Sequence, residues 1–146
     1  MLVSRVYCDT NVLVPVIILE PQSIRIRTWI SSPDVTPVVS DLVVLEFSAT
    51  ISRLVRERTL SDALGRNAVS EFDAWRKARG RPLTITRQMF ARARSIVEDA
   101  ALGVRGPDAL HLALLQVTGL PFATFDARLS RAASAFGLAT LEPPPL

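Results

Sequence analysis

Apolar and polar positions along the chain fall into short blocks that switch between a strand-like and a helical period. Val3 to Cys8 reads as a first strand, closing on Val6-Tyr7-Cys8 and followed at once by the carboxylate of Asp9. Asn11 to Leu19 is a short apolar helix in which Pro15 is tolerated only near the first turn. Glu20-Pro21 breaks it. Ser23 to Ile30 is a second short helix with Ile26, Trp29 and Ile30 inward, and Ser31 to Asp34 is a turn. Thr36 to Ser40 is a second strand, with Pro37 near its start.

Asp41 is then the expected N-cap of a helix from Leu42 to about Arg58. Its first half is apolar except for Glu46, and its second half is charged. Thr59-Leu60-Ser61-Asp62 resembles a capping box with Asp in place of Glu. The helix it opens carries Leu64, Ala68, Phe72 and Trp75 on one face, so these two helices are expected to project as a pair. Gly80-Arg81-Pro82 ends the pair, and Leu83 to Ile85 is an extended link. Thr86 caps a helix to about Ala101. Pro107 opens another, Asp108 to Val117, which is apolar nearly all round and so reads as buried. Pro121 to Phe125 is a strand, Asp126 opens a helix to about Phe136, and Gly137 stops it. Leu138 to Leu141 is a last edge strand.

Alternating strands and helices predict an α/β sandwich with a parallel sheet and right-handed crossovers. The length of 146 residues predicts one domain over 1–141, with a Pro-rich tail, 142–146, that cannot join a sheet. Hydrophobic residues at 49% and charged residues at 21% fit a globular chain rather than a disordered one. Met1-Leu2-Val3 lacks a basic segment before an apolar one, so no signal peptide is expected. The longest apolar run, Val12 to Leu19, holds Pro15 and is far shorter than the roughly 20 residues that span a bilayer. A soluble, cytoplasmic protein without a membrane partner is expected. The single cysteine, Cys8, has no internal partner and is expected to act as a small buried apolar residue.

The net charge of +3 changes the picture through its chemistry: sixteen of the seventeen basic residues are Arg, Lys77 being the exception. Guanidinium groups match phosphate oxygens in two-point contacts, which suits a polyanionic partner, and equally a merely solvated basic surface.

Four of the fourteen acidic residues lie where apolar ones are expected: Asp9, Glu46, Asp108 and Asp126. An isolated buried carboxylate costs several kcal/mol. Each has a local explanation: Asp108 beside a helix dipole, Asp126 as an N-cap, Glu46 paired with an Arg, Asp9 bonded to loop amides. Asp9 and Asp126 both follow strands, however, and therefore share one edge of a parallel sheet. Glu46 lies about two turns into the helix leaving the second strand on that edge. Clustered carboxylates repel, and a divalent cation relieves that repulsion. Mg²⁺ and Mn²⁺ prefer such oxygen ligands, whereas Cys8 and His111 are too few for zinc.

Taken in order, Tyr7-Cys8-Asp9-Thr10-Asn11, Ser40 with Leu45-Glu46, Gly106-Pro107-Asp108-Ala109-Leu110-His111-Leu112-Ala113, and Ala123-Thr124-Phe125-Asp126-Ala127-Arg128-Leu129 form a set that resembles the PIN-domain family and, within it, the VapC-type ribonuclease toxins of toxin–antitoxin pairs. The resemblance covers nearly the whole chain. It implies a three-layer α/β/α sandwich and a Mg²⁺- or Mn²⁺-dependent endoribonuclease. It carries the catalytic and metal-binding roles onto Asp9, Glu46, Asp108 and Asp126, with Asp9 and Asp108 the firmest metal ligands. Thr10 and Asn11 would shape the loop, and Thr124 would bond to an acidic neighbour. It also implies a homodimer neutralised by a small antitoxin protein. His111, three residues after Asp108, is expected to be a buried, satisfied imidazole rather than an acid–base group.

Two other enzyme classes also place an Asp after the first strand. A haloacid-dehalogenase-like phosphotransferase needs a second Asp where Asn11 stands and a later Lys, and a receiver domain needs an acidic pair beside its acceptor. A non-catalytic RNA-binding or scaffold module is the alternative from a different class, and it gives no reason to keep four awkward charges.

Overall fold

Val6, Tyr7 and Cys8 are buried in succession, as expected for a strand covered on both faces in a parallel sheet. They lie in β1 (Ser4–Cys8) of a computed structural model that describes residues 4–146, so Val3 and the Met1-Leu2-Val3 start fall outside the described residues. The chain continues through α1 (Thr10–Ile17), α2 (Ser23–Ile30), β2 (Val35–Ser40), α3 (Asp41–Arg56), α4 (Asp62–Ala78), β3 (Arg81–Leu83), α5 (Arg87–Glu98), α6 (Gly106–Thr118), β4 (Phe122–Ala123), α7 (Ala127–Ala135) and β5 (Thr140–Leu141). The strands form one sheet in the order β3-β2-β1-β4-β5, every pairing parallel. Successive crossovers run outward to β3, then back past β1 to β5. Right-handedness therefore places α1 to α4 on one face and α5 to α7 on the other, in agreement with the α1–α2, α1–α3, α3–α4 and α5–α6 contacts. This is the expected three-layer α/β/α sandwich.

That strand order creates a switch point between β1 and β4. The chain leaves β1 toward one face and β4 toward the other, which opens a crevice at their carboxyl ends.

Several boundaries differ from the sequence expectation for identifiable reasons. The N-cap of α3 is Ser40, whose Oγ accepts from the Val43 N–H; Asp41 is the first helical residue, where its charge favours the helix dipole. That helix stops at Arg56, and Arg58 takes a left-handed φ of 60°. Pro15 sits past the first turn of α1, and the helix continues to Ile17 because only one backbone bond is forfeited. Leu19 lies beyond it, exposed. The expected link at Leu83 to Ile85 is displaced by β3, which takes Arg81-Pro82-Leu83 as an edge strand, where Pro is permitted. Leu64 is exposed, and its expected core role on α4 falls to Gly65, where a Cβ would come 2.6 Å from Val55 Cγ2 and hold α3 and α4 apart. The rings of Phe47 and Phe72 stack across the same pair at 3.9 Å.

The tail 142–146 is tied down: Arg25 donates to the carbonyls of Pro143 and Pro144. No helix among the described residues is long and apolar enough to cross a membrane. Burial pushes the Cys8 thiol up to about 12, which leaves it an inert core group.

Candidate active site

Asp9 directly follows β1 and is the N-cap of α1, its Oδ1 accepting the Thr10 N–H at 2.7 Å. β4 is only two residues long, shorter than the expected Pro121 to Phe125, which lets Thr124, Phe125 and Asp126 bend over the end of β1. Thr124 Oγ1 donates to Asp9 Oδ2 at 2.7 Å and accepts the Asp126 N–H at 2.9 Å. Asn11 Oδ1 accepts the Phe125 N–H at 3.1 Å. The two loops at the switch point are thus stitched together by Asn11 and Thr124. These contacts position the loops, and the acidic neighbour that Thr124 bonds is Asp9.

Glu46 reaches this crevice from α3. Its Oε1 accepts from Thr10 Oγ1 at 3.2 Å and lies 2.8 Å from His111 Nε2. His111 projects from α6, fully buried, with Nδ1 2.7 Å from the Tyr7 hydroxyl, which in turn lies 2.8 Å from Ser40 Oγ. A side-chain chain therefore runs Ser40–Tyr7–His111–Glu46. In the neutral ring Tyr7 donates to Nδ1 and Nε2–H donates to Glu46; in the imidazolium both ring nitrogens donate. Burial holds the Tyr7 phenol far above its usual range, so it keeps its proton.

Asp9, Glu46 and His111 each offer one ligand atom to a group whose atoms lie within 4.8 Å of one another. Asp108 and Asp126 line the same cleft, of about 360 Å³, without joining that tight group. Each also has the local tie foreseen for such residues. Asp126 Oδ1 accepts the N–H groups of Arg128 and Leu129 as the N-cap of α7, and Asp108 Oδ2 lies 3.6 Å from Arg128 in the first turn of α6. Glu46 pairs with His111 in place of the Arg that was one explanation for it. All four acids nevertheless face one crevice.

Burial is the main reason the Asp9 carboxyl is held above its ordinary range. His111 and the bonds from Thr124 and Thr10 oppose the shift, and Glu46 adds to it. For His111, burial works against the imidazolium, but the Glu46 bond and the charges of Asp9, Glu46 and Asp108 outweigh it, and the net shift is upward. The donor set of carboxylates with one imidazole fits a divalent cation that prefers oxygen ligands.

Sequence reasoning expected His111 to be satisfied and buried, and it is. It did not foresee that His111 would stand within the tight acidic group. The available signal was its spacing of three from Asp108 on one helix. Arg53 and Thr50 also line the cleft, and they were missed although 46, 50 and 53 share one face of α3.

The family model described as PIN domain matches residues 6–135. The chain belongs to the PIN domain family. No curated protein matches this PIN domain by sequence. Among solved structures it is similar to VapBC from Salmonella typhimurium bound to DNA (TM-score 0.69, 18% identity, 99% of this chain and 100% of that one). It is also similar to FitAcB from Neisseria gonorrhoeae (0.69, 18%, 94% and 97%). A third is VapC20 from Mycobacterium tuberculosis, described as a sarcin-ricin loop cleaving toxin (0.66, 20%, 87% and 94%). At these identities the likeness is one of fold.

Proposed function

We propose that this PIN domain is a Mg²⁺- or Mn²⁺-dependent endoribonuclease and the toxin of a toxin–antitoxin pair. The observation that carries the reading is the convergence of Asp9, Glu46, Asp108 and Asp126 on one cleft at the switch point of the sheet. Asp9 and Asp108 would hold the metal most firmly, with Glu46 and Asp126 completing the acidic wall. When bound, Mg²⁺ or Mn²⁺ would supply Lewis-acid relief of charge on the phosphate and acidify a water.

The chain's own groups do the positioning. Thr10 and His111 both engage Oε1 of Glu46, and the Arg128 and Leu129 amides engage Oδ1 of Asp126. Each carboxylate is anchored through one oxygen, and its other oxygen has no partner among the described residues. Such a half-anchored carboxylate can orient a water and take its proton as the water oxygen bonds phosphorus and the opposite P–O bond breaks; the leaving oxygen takes a proton from solvent. Arg53, on the cleft wall, is paired with Glu57 at 2.9 Å; this exposed pair is weak, so a neighbouring phosphate would compete for the guanidinium.

The solved neighbours include toxin–antitoxin complexes, which supports a small antitoxin as partner. That the antitoxin buries the acidic cleft, that the toxin is a homodimer and that it acts in the cytoplasm belong to the same proposal. The test is incubation of purified protein with structured RNA in Mg²⁺ or Mn²⁺ against EDTA, with Asp9→Asn alongside. Metal-dependent cleavage lost in the variant is the expected result. RNA left intact in every arm, with binding retained, would favour a non-catalytic RNA-binding module and overturn the enzyme reading.

A further inference from the structure

A second cleft, of about 290 Å³, adjoins the acidic one and shares Asp108 and Leu129 with it. Its floor is apolar, made of Leu102 and Val104 from the loop between α5 and α6 together with Leu129 and Ala132 from α7. Its rim carries two guanidinium groups, Arg128 and Arg131, on the same face of α7 by their spacing of three and four from 128 to 132. Both arginines are exposed, and among the described residues the only side-chain partner of the Arg128 guanidinium is Asp108, in a loose 3.6 Å pair. Such a long pair, with its guanidinium in solvent, contributes about 0–1 kcal/mol and gives way readily to a competing anion.

We propose that this side cleft is the subsite for a nucleotide next to the scissile phosphate of a single-stranded RNA, with Arg128 and Arg131 on the phosphate and the apolar floor against the base. The inference rests on the nuclease reading above and adds a direction to it. A polyanion laid over four carboxylates is repelled there and needs cations beside them. Arg53 stands on the α3 wall, and Arg128 with Arg131 on the α7 side, so the strand crosses the acidic floor between two cationic rims. Phosphate contacts set register without reading sequence, while an unstacked base can rest on guanidinium planes and apolar side chains. The cleft volume is near the lower end of small-ligand pockets, about 300 Å³, which suits one nucleotide rather than a folded duplex.

The test measures binding of a fluorescein-labelled 12-nucleotide single-stranded RNA to Asp9→Asn protein in Mg²⁺ across a salt series, with cleavage by the otherwise wild-type enzyme run in parallel. Each single-strand phosphate contact contributes about 0.7 to the slope of log affinity against log salt. Adding Arg131→Ala is expected to lower the slope by about 0.7, and Arg128→Ala with Arg131→Ala by about twice that. Arg5→Ala, at the opposite end of β1, serves as the control for net charge. Cleavage by wild type, with slopes for the Arg128 and Arg131 variants equal to that of Arg5→Ala, overturns the subsite and leaves the nuclease intact. Failure of wild type to bind or cut RNA in any metal overturns the nuclease reading, and the subsite with it.

Discussion

The Tyr7 hydroxyl and Nδ1 of His111 lie 2.7 Å apart in the core, joining the central strand to the most buried helix. This contact sets the plane of the imidazole whose other nitrogen meets Glu46. The acidic site is therefore braced from beneath by a phenol that never reaches the cleft.

Tyr7→Phe removes one oxygen and little volume, but it leaves Nδ1 of His111 without its partner. Loss of about 1–3 kcal/mol is expected from the unmade buried bond, read by chemical denaturation. Cleavage should fall as well, because Glu46 loses a fixed neighbour. Unchanged stability would show that the Tyr7–His111 bond contributes nothing net.

Asp108→Asn separates chemistry from architecture more cleanly than Asp9→Asn. Asp108 is half-buried, and its only ion pair among the described residues is the 3.6 Å contact with Arg128, worth about 0–1 kcal/mol. The variant should melt in EDTA within a few degrees of wild type and cut no RNA. Asp9→Asn should also abolish cleavage, but it replaces the acceptor of the Thr124 hydroxyl with a group that can be an amide N–H. A large drop in melting temperature for Asp108→Asn would mark that carboxylate as structural.

The metal-free protein should lose stability as pH rises. The raised Asp9 carboxyl keeps a proton in the folded state that the unfolded chain releases above its ordinary value of 3.8, so folding is progressively penalised from there up to its folded pKa. His111 is raised from 6.5; its contribution is full below that value and is lost as pH climbs through its folded pKa. Both windows slope the same way. Thermal melts in EDTA at several pH values should show wild type declining relative to Asp9→Asn. The gain in melting temperature on adding Mn²⁺ should grow with pH, because the cation needs the ionised carboxylate. A wild-type advantage in EDTA that increases with pH would contradict the sign.

Thr124→Val keeps the shape and deletes a hydroxyl that donates to Asp9 and accepts the Asp126 N–H. Loosening of the stitch between the β1 and β4 loops is expected. Metal affinity, measured by calorimetry, should weaken about 10–100-fold, the usual effect of losing a group that orients a ligand. Thr124→Ser should restore it.

Much of this architecture was legible in the bare chain because periodicity and caps are local. The run Val6-Tyr7-Cys8 names a strand buried on both faces, Thr86 names a helix start, and an Asp after an apolar strand is conspicuous. The capping box expected from Thr59 to Asp62 does not form: Ser61 is the N-cap of α4, its Oγ accepting the Leu64 N–H, and Asp62 is the first helical residue. β3 was not legible, since Arg81-Pro82-Leu83 has no strand signal and pairs only because Val38 to Ser40 offers a free edge. Gly65 as the close-approach point of α4 was hidden for the same reason: only the neighbouring Val55 reveals it.

The site divides along the same line. Residue type and position relative to strand ends were sufficient to single out Asp9, Glu46, Asp108 and Asp126. Which of them meet was decided by the fold. Glu46 and His111 stand 65 residues apart and touch at 2.8 Å because α3 and α6 approach one sheet edge from opposite layers. Charge and polarity are properties of a residue and can be read along a chain; distance between side chains is a property of packing and exists only once the layers have closed.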